Sequence, residues 1–133
     1  LSVFVDASAM VAMIAREADA RELSDRLDGE GMRLCSAMST LEALAGLRRS
    51  YQISQESARE RVATFLEHFD IGYVAIGEPE FEIAATAYEQ FGKGRHPAAL
   101  NFGDCFAYAC AKSNGAKLLF KGDDFSQTDI AVC

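Results

Sequence analysis

Short runs of β-favouring residues alternate along this chain with amphipathic stretches long enough to be helices, and that alternation restricts the fold more than any other feature. Ser2-Val3-Phe4-Val5 ends on Asp6 and gives way to the Ala/Met-rich stretch from residue 7 to 14. A second helix is predicted over residues 17–27, with Ala20, Leu23 and Leu27 at helical spacing, before Asp28-Gly29-Glu30-Gly31 breaks it. Residues 32–36 read as a strand. Leu41, Leu44, Ala45 and Arg48 then recur at i, i+3, i+4 and i+7, and Ala58, Val62, Phe65 and Phe69 mark a further helix after Ser54. Residues 71–76 and 117–120 are two more strands. Between them lie a helix carrying Ala84, Ala87, Tyr88 and Phe91, the loop Lys93-Gly94-Arg95-His96-Pro97, and a helix over 102–114 closed by Gly115. Ile130-Ala131-Val132 is expected to add an edge strand. Parallel neighbours need a crossover connection, so this order specifies an α/β architecture with a mostly parallel central sheet.

The 133 residues suit one domain, 1–133, and half of them are apolar, enough to cover a core. With 13 basic against 20 acidic side chains the net charge is −7, so any grip on nucleic acid has to be local. The small basic groups at Arg48 and Arg49, at Arg59 and Arg61, and at Lys93, Arg95 and His96 read first as solvated faces. No stretch is apolar for long enough to span a membrane, and the start of the sequence has no basic n-region, so a cytoplasmic location is expected. The four cysteines have no Cys-x-x-Cys spacing and read as reduced, mostly buried thiols.

Sheets of this kind bind ligands at the carboxyl ends of their strands, and acids cluster there in the sequence. Asp6 ends the first strand, Glu42 follows the second, Asp104 lies in the first turn of the helix before the 117–120 strand, and Asp123 and Asp124 follow that strand. Each has a plain structural explanation. Asp6 can cap a helix, Ser39-x-x-Glu42 fits a capping box, Asp104 suits a helix dipole, and Asp123 and Asp124 suit a turn. The apolar surroundings of Asp6 and Asp104 predict that both are at least partly buried. Carboxylates ~4 Å apart repel by roughly 4 kcal/mol at an effective dielectric near 20, against a total stability of ~5–15 kcal/mol. Divalent cations relieve that repulsion, and all-oxygen ligands select hard ions such as Mg²⁺ or Mn²⁺. An open carboxylate cluster with such ions suits phosphate-ester chemistry.

Val5-Asp6-Ala7-Ser8-Ala9, Ser39-Thr40-Leu41-Glu42, the stretch from Lys93 through Leu100-Asn101-Phe102-Gly103-Asp104-Cys105-Phe106, and Leu118-Leu119-Phe120-Lys121-Gly122-Asp123-Asp124-Phe125 with Thr128-Asp129-Ile130 together resemble a VapC-type toxin of the PIN-domain ribonucleases. The resemblance covers nearly the whole chain. It implies a three-layer α/β/α PIN-like domain and a Mg²⁺- or Mn²⁺-dependent endoribonuclease, the toxin of a type II toxin–antitoxin module. It also implies a homodimer and a cognate VapB-type antitoxin. By the same analogy Asp6 and Asp104 are the principal metal ligands, Glu42 orients the attacking water or a second ion, and Asp124, with Asp123 as backup, completes the pocket. Ser8 would hold the carboxylates by hydrogen bonds. Many relatives carry the fourth acid at the position of Gly122, so Asp123, Asp124 and Asp129 all stand as its replacement. Lys93 and Arg95 are candidates for contacts to RNA phosphates.

A phosphoryl-receiver module also places acids and Mg²⁺ at strand ends, but wants its acidic pair at the first strand, whereas the adjacent pair here comes last. A haloacid-type phosphatase wants Asp-x-Asp where this chain has Asp6-Ala7-Ser8. Metal-free cleavage by histidine lacks a paired acid and base, since His68 and His96 lie far apart in sequence and in different settings. A non-catalytic interaction domain, keeping the acids for structure, is the remaining alternative.

Overall fold

The computed structural model describes residues 1–94 and 96–133. In chain order the elements are β1 (Ser2–Val5), α1 (Ala7–Ile14), α2 (Ala20–Asp28), β2 (Met32–Cys35), α3 (Ala37–Tyr51), α4 (Gln55–His68), β3 (Ile71–Tyr73), α5 (Glu78–Phe91), α6 (Phe102–Ser113) and β4 (Lys117–Leu119). The strands form one sheet in the order β3-β2-β1-β4, and every pairing is parallel. Phe4 lies opposite Leu34 on one side and Leu118 on the other.

Alternation along the strands sends side chains to two separate cores. Val3, Val5, Cys35, Ile71 and Leu119 pack against α1, α2 and α4 through residues such as Met10, Leu27 and Phe65. Phe4, Leu34 and Leu118 point the other way, against Ala84 and Ala87 of α5 and Tyr108 of α6. Helices therefore cover both faces of the sheet, which gives the expected three layers. The central strand β1 is apolar at Val3, Phe4 and Val5 because all three are fully buried.

The path of the chain matters most for function. It steps from β1 outward to β2 and β3, then returns to the far side of β1 to lay down β4. The direction of winding reverses between β1 and β4, and a crevice opens at the carboxyl ends of strands around such a switch. The Asp6 N–H donates to the Leu119 carbonyl at 2.9 Å, so Asp6 stands where these two strands part.

Several boundaries move from their predicted places. Arg16 takes a left-handed φ of 57°, and the Glu17 N–H bonds back to Ala12, so the turn after α1 delays α2 to Ala20. The 71–76 strand is only Ile71–Tyr73, although Val74 still donates to the Cys35 carbonyl at 2.8 Å before the chain turns into α5. The expected edge strand at 130–132 reduces to one parallel bridge between Val132 and Leu118. Cys35, Cys105 and Cys110 are buried free thiols and Cys133 is half-buried. Among the described residues no helix is long and apolar enough to cross a membrane.

Candidate active site

Asp6 caps the N-terminus of α1 from an extended backbone, with φ −71° and ψ 155°. Its Oδ2 accepts from the Ser8 N–H at 3.0 Å and from the Ser8 hydroxyl at 2.6 Å. The same hydroxyl oxygen accepts the Lys121 N–H at 2.9 Å, so Ser8 ties the segment after β1 to the segment after β4. Asp6 is only 5% exposed. Burial pushes its pKa up, the Ser8 bonds oppose that, and the Asp124 charge adds to it.

Glu42 does not belong to a capping box. Ser36 caps α3 instead, and its reciprocal partner is Ser39, whose hydroxyl accepts the Ser36 N–H at 3.0 Å while the Ser36 hydroxyl accepts the Ser39 N–H at 3.1 Å. The helix therefore starts earlier than the Ser39-x-x-Glu42 spacing suggests, and Glu42 falls in its second turn with no capping duty. Its carboxylate lies against the backbone of Gly103 on α6, in space that a β-carbon at Gly103 would occupy. Burial, followed by the charges of Asp6 and Asp104, raises the Glu42 pKa to about 7.

Asp104 serves two purposes at once. Its Oδ2 accepts the Asn101 N–H at 3.1 Å and its own N–H donates to Asn101 Oδ1 at 2.8 Å, a capping box at the start of α6. The carboxyl still faces the same cleft as Asp6 and Glu42. Burial pushes its pKa to about 6, opposed by the Asn101 bond and reinforced by Asp6 and Asp124.

Of the candidates for a fourth acid, Asp124 reaches this cleft. Asp123 is exposed, and its carbonyl accepts from the Ser126 N–H at 3.2 Å and the Ser126 hydroxyl at 2.6 Å. Asp129 is engaged on α6, accepting from the Tyr108 hydroxyl and from Lys112 at 3.1 Å. Gly122 holds a φ of +98°, a conformation that an acidic side chain at that position would strain.

The cleft has a volume of about 340 Å³, and its walls include three charged residues the sequence reading did not place there: Glu17, Arg49 and Lys121. Glu17 accepts from Lys121 at 2.5 Å and from the Tyr51 hydroxyl, which hold its pKa below the usual range. Lys93 is exposed and not part of the lining, while Arg95 lies outside the described residues. Arg49 was findable, since it sits seven residues after Glu42 on one helix face. A larger groove of about 790 Å³ runs past Met13, Tyr51, Phe65 and His68, but Glu60 is the one acid in its lining, so it brings no set of carboxylates together.

Among the described residues, no three Asp, Glu, His or Cys side chains are already gathered tightly enough to enclose an ion. The acids that the sequence brings to one edge of the sheet line an open cleft rather than a closed cage. Repulsion keeps uncompensated carboxylates apart, and Asp6 and Asp104 each commit one oxygen to a helix cap. The donor set nevertheless suits a hard divalent cation, since it is all oxygen and Gly103 leaves room beside Glu42.

The sequence profile of the PIN domain matches residues 3–131. The chain belongs to the PIN-domain family. Ribonuclease VapC30 of Mycobacterium tuberculosis is 39% identical over 128 residues, covering 96% of this chain and 95% of that protein. A VapC ribonuclease of Rhizobium meliloti is 40% identical over 139 residues, covering 96% and 98%. The fold of this PIN-domain chain is shared by M. tuberculosis VapC20, described as a Sarcin-Ricin loop cleaving toxin, with a TM-score of 0.69 at 18% identity over 98% of each chain. It is shared also by VapBC2 from Rickettsia felis, solved with a DNA fragment from its promoter, with a TM-score of 0.73 at 15% identity over 99% of this chain and 96% of that one. These relatives place the chain among the VapC ribonucleases, whose chemistry depends on a metal ion, and displace the phosphoryl-receiver alternative.

Proposed function

We propose that this PIN-domain chain is the toxin of a toxin–antitoxin pair, an endoribonuclease that hydrolyses RNA phosphodiester bonds with Mg²⁺ or Mn²⁺ held by Asp6, Glu42, Asp104 and Asp124. The observation that carries the proposal is the meeting of four carboxylates from four separate segments in one cleft at the β1/β4 switch. When bound, a hard divalent cation supplies a water acidic enough to attack at neutral pH and positive charge for the phosphoryl oxygens. Ser8 fixes one oxygen of Asp6 where that residue lines the cleft. Asn101 does the same for Asp104. Glu42, with no such tether, orients the attacking water. Asp124 closes the site from the β4 side.

An acidic cleft on a chain of net charge −7 also suits a basic partner segment, since opposite charges steer and specify association. That fits a VapB-type antitoxin acting on a homodimer of this chain in the cytoplasm. Cleavage of RNA by the purified protein is expected to require Mg²⁺ or Mn²⁺, to stop with EDTA, and to resume when either ion is restored. Cleavage that continues unchanged in EDTA contradicts the proposal.

A further inference from the structure

Arg49 is an unspent positive charge in an acidic cleft. Among the described residues it makes no ion pair and no side-chain hydrogen bond, although it lines the same cavity as Asp6, Glu42, Asp104 and Asp124. The other cation there, Lys121, is already neutralised by Glu17 at 2.5 Å and Asp19 at 3.5 Å. Arg49 stands seven residues after Glu42 on α3, about 10.5 Å along the helix axis at the backbone, and among the described residues no ion pair joins it to any acid of the cleft. Between the two, Gly46 presents no side chain to the cleft, and a β-carbon there would press on Val11 Cγ2 at 3.2 Å. The result is a trough along α3 with Glu42 toward one end and, toward the other, the Arg49 guanidinium, unpaired among the described residues, while Glu17 in the same cleft is already taken up by Tyr51 and Lys121.

A polyanion can enter an acidic cleft only if positive charge meets it away from the ion site, and a guanidinium fork matches phosphate oxygens in a bidentate way. We propose that Arg49 binds a phosphate of the RNA strand beyond the scissile bond and so sets the direction in which the strand lies along α3. The inference rests on the ribonuclease reading, deepens it, and is testable apart from it. Arg49 here is a substrate-binding residue that neither ligates the cation nor touches the reacting atoms.

The test compares Asp104→Asn with Asp104→Asn/Arg49→Ala, in Mg²⁺, by fluorescence anisotropy of a labelled single-stranded RNA over a range of salt. Removing Arg49 is expected to weaken binding about tenfold and to reduce the slope of log K against log[salt] by ~0.7, the value for one phosphate contact on a single strand. Arg49→Lys is expected to keep the slope and lose less affinity. In the otherwise native enzyme, Arg49→Ala is expected to raise KM while kcat changes by less than about twofold. Equal slopes and affinities with and without Arg49 overturn the inference, as does a loss that falls wholly in kcat. RNA binding with an Arg49-dependent slope by a protein that never cleaves would retire the ribonuclease reading and leave the phosphate contact standing. Absence of any RNA binding overturns both.

Discussion

Replacing Asp104 by Asn is expected to stabilise the metal-free protein while destroying its activity. The Asp104 pKa rises from 3.8 to about 6 on folding because the carboxyl is buried beside Asp6 and Asp124. A folded pKa above the unfolded one means that ionisation opposes folding: nothing is lost below pH 3.8, and the full penalty is present above about pH 7. Roughly two pKa units at ~1.4 kcal/mol each set a ceiling near 3 kcal/mol, which partial exposure reduces to about 1–2 kcal/mol. An amide oxygen can still accept the Asn101 N–H, so the cap at the start of α6 survives the change. Urea unfolding in EDTA is the assay. The variant is expected to gain about 1–2 kcal/mol at pH 8 and about half of that at pH 5. Adding Mg²⁺ is expected to reverse the order, because the native protein gains binding free energy that the variant largely lacks. A variant less stable at both pH values, or a gain that does not change with pH, would refute the reasoning.

Gly103→Ala intrudes on the Glu42 carboxylate, so cleavage is expected to fall at least tenfold, while stability, helped by ~1 kcal/mol of helix propensity, changes little; an active variant would show that the contact is dispensable. Asp124→Asn is expected to reduce kcat by about a hundredfold or more, whereas Asp123→Asn and Asp129→Asn keep it within about tenfold. The reverse order in steady-state assays would relocate the fourth acid. Ser8→Ala removes a donor to Asp6, and calorimetric titration with Mn²⁺ should show weaker binding; unchanged affinity would make Ser8 a structural tie alone.

The layers of this fold were legible because β1 is short, apolar from Val3 to Val5 and followed at once by a helix, which leaves little but a covered parallel strand. Asp6 was legible for the same reason, as an acid at the carboxyl end of such a strand. Glu42 was harder. Its spacing from Ser39 imitates a capping box, and only the Ser36–Ser39 pair in three dimensions frees it. The choice among Asp123, Asp124 and Asp129 could not be made from the sequence because three acids within seven residues of a turn differ only in where the backbone points them. Among the basic residues, Lys93 and Arg95 give the louder sequence signal because a Gly-rich segment stands out, whereas Arg49 needs the helix face it shares with Glu42 to be traced over two turns and Lys121 beside a turn carries little signal. Glu17 carried no signal at all, since its place in the cleft depends on the left-handed turn at Arg16.

The chemistry of the ends left on cleaved RNA tests the carboxylate cleft most directly. With added Mg²⁺ or Mn²⁺, water drawn to these acids should be the nucleophile, leaving 5′-phosphate and 3′-hydroxyl termini, and no cut should appear in EDTA. Termini carrying 2′,3′-cyclic phosphate, formed by attack of the RNA's own 2′-hydroxyl, would contradict the account.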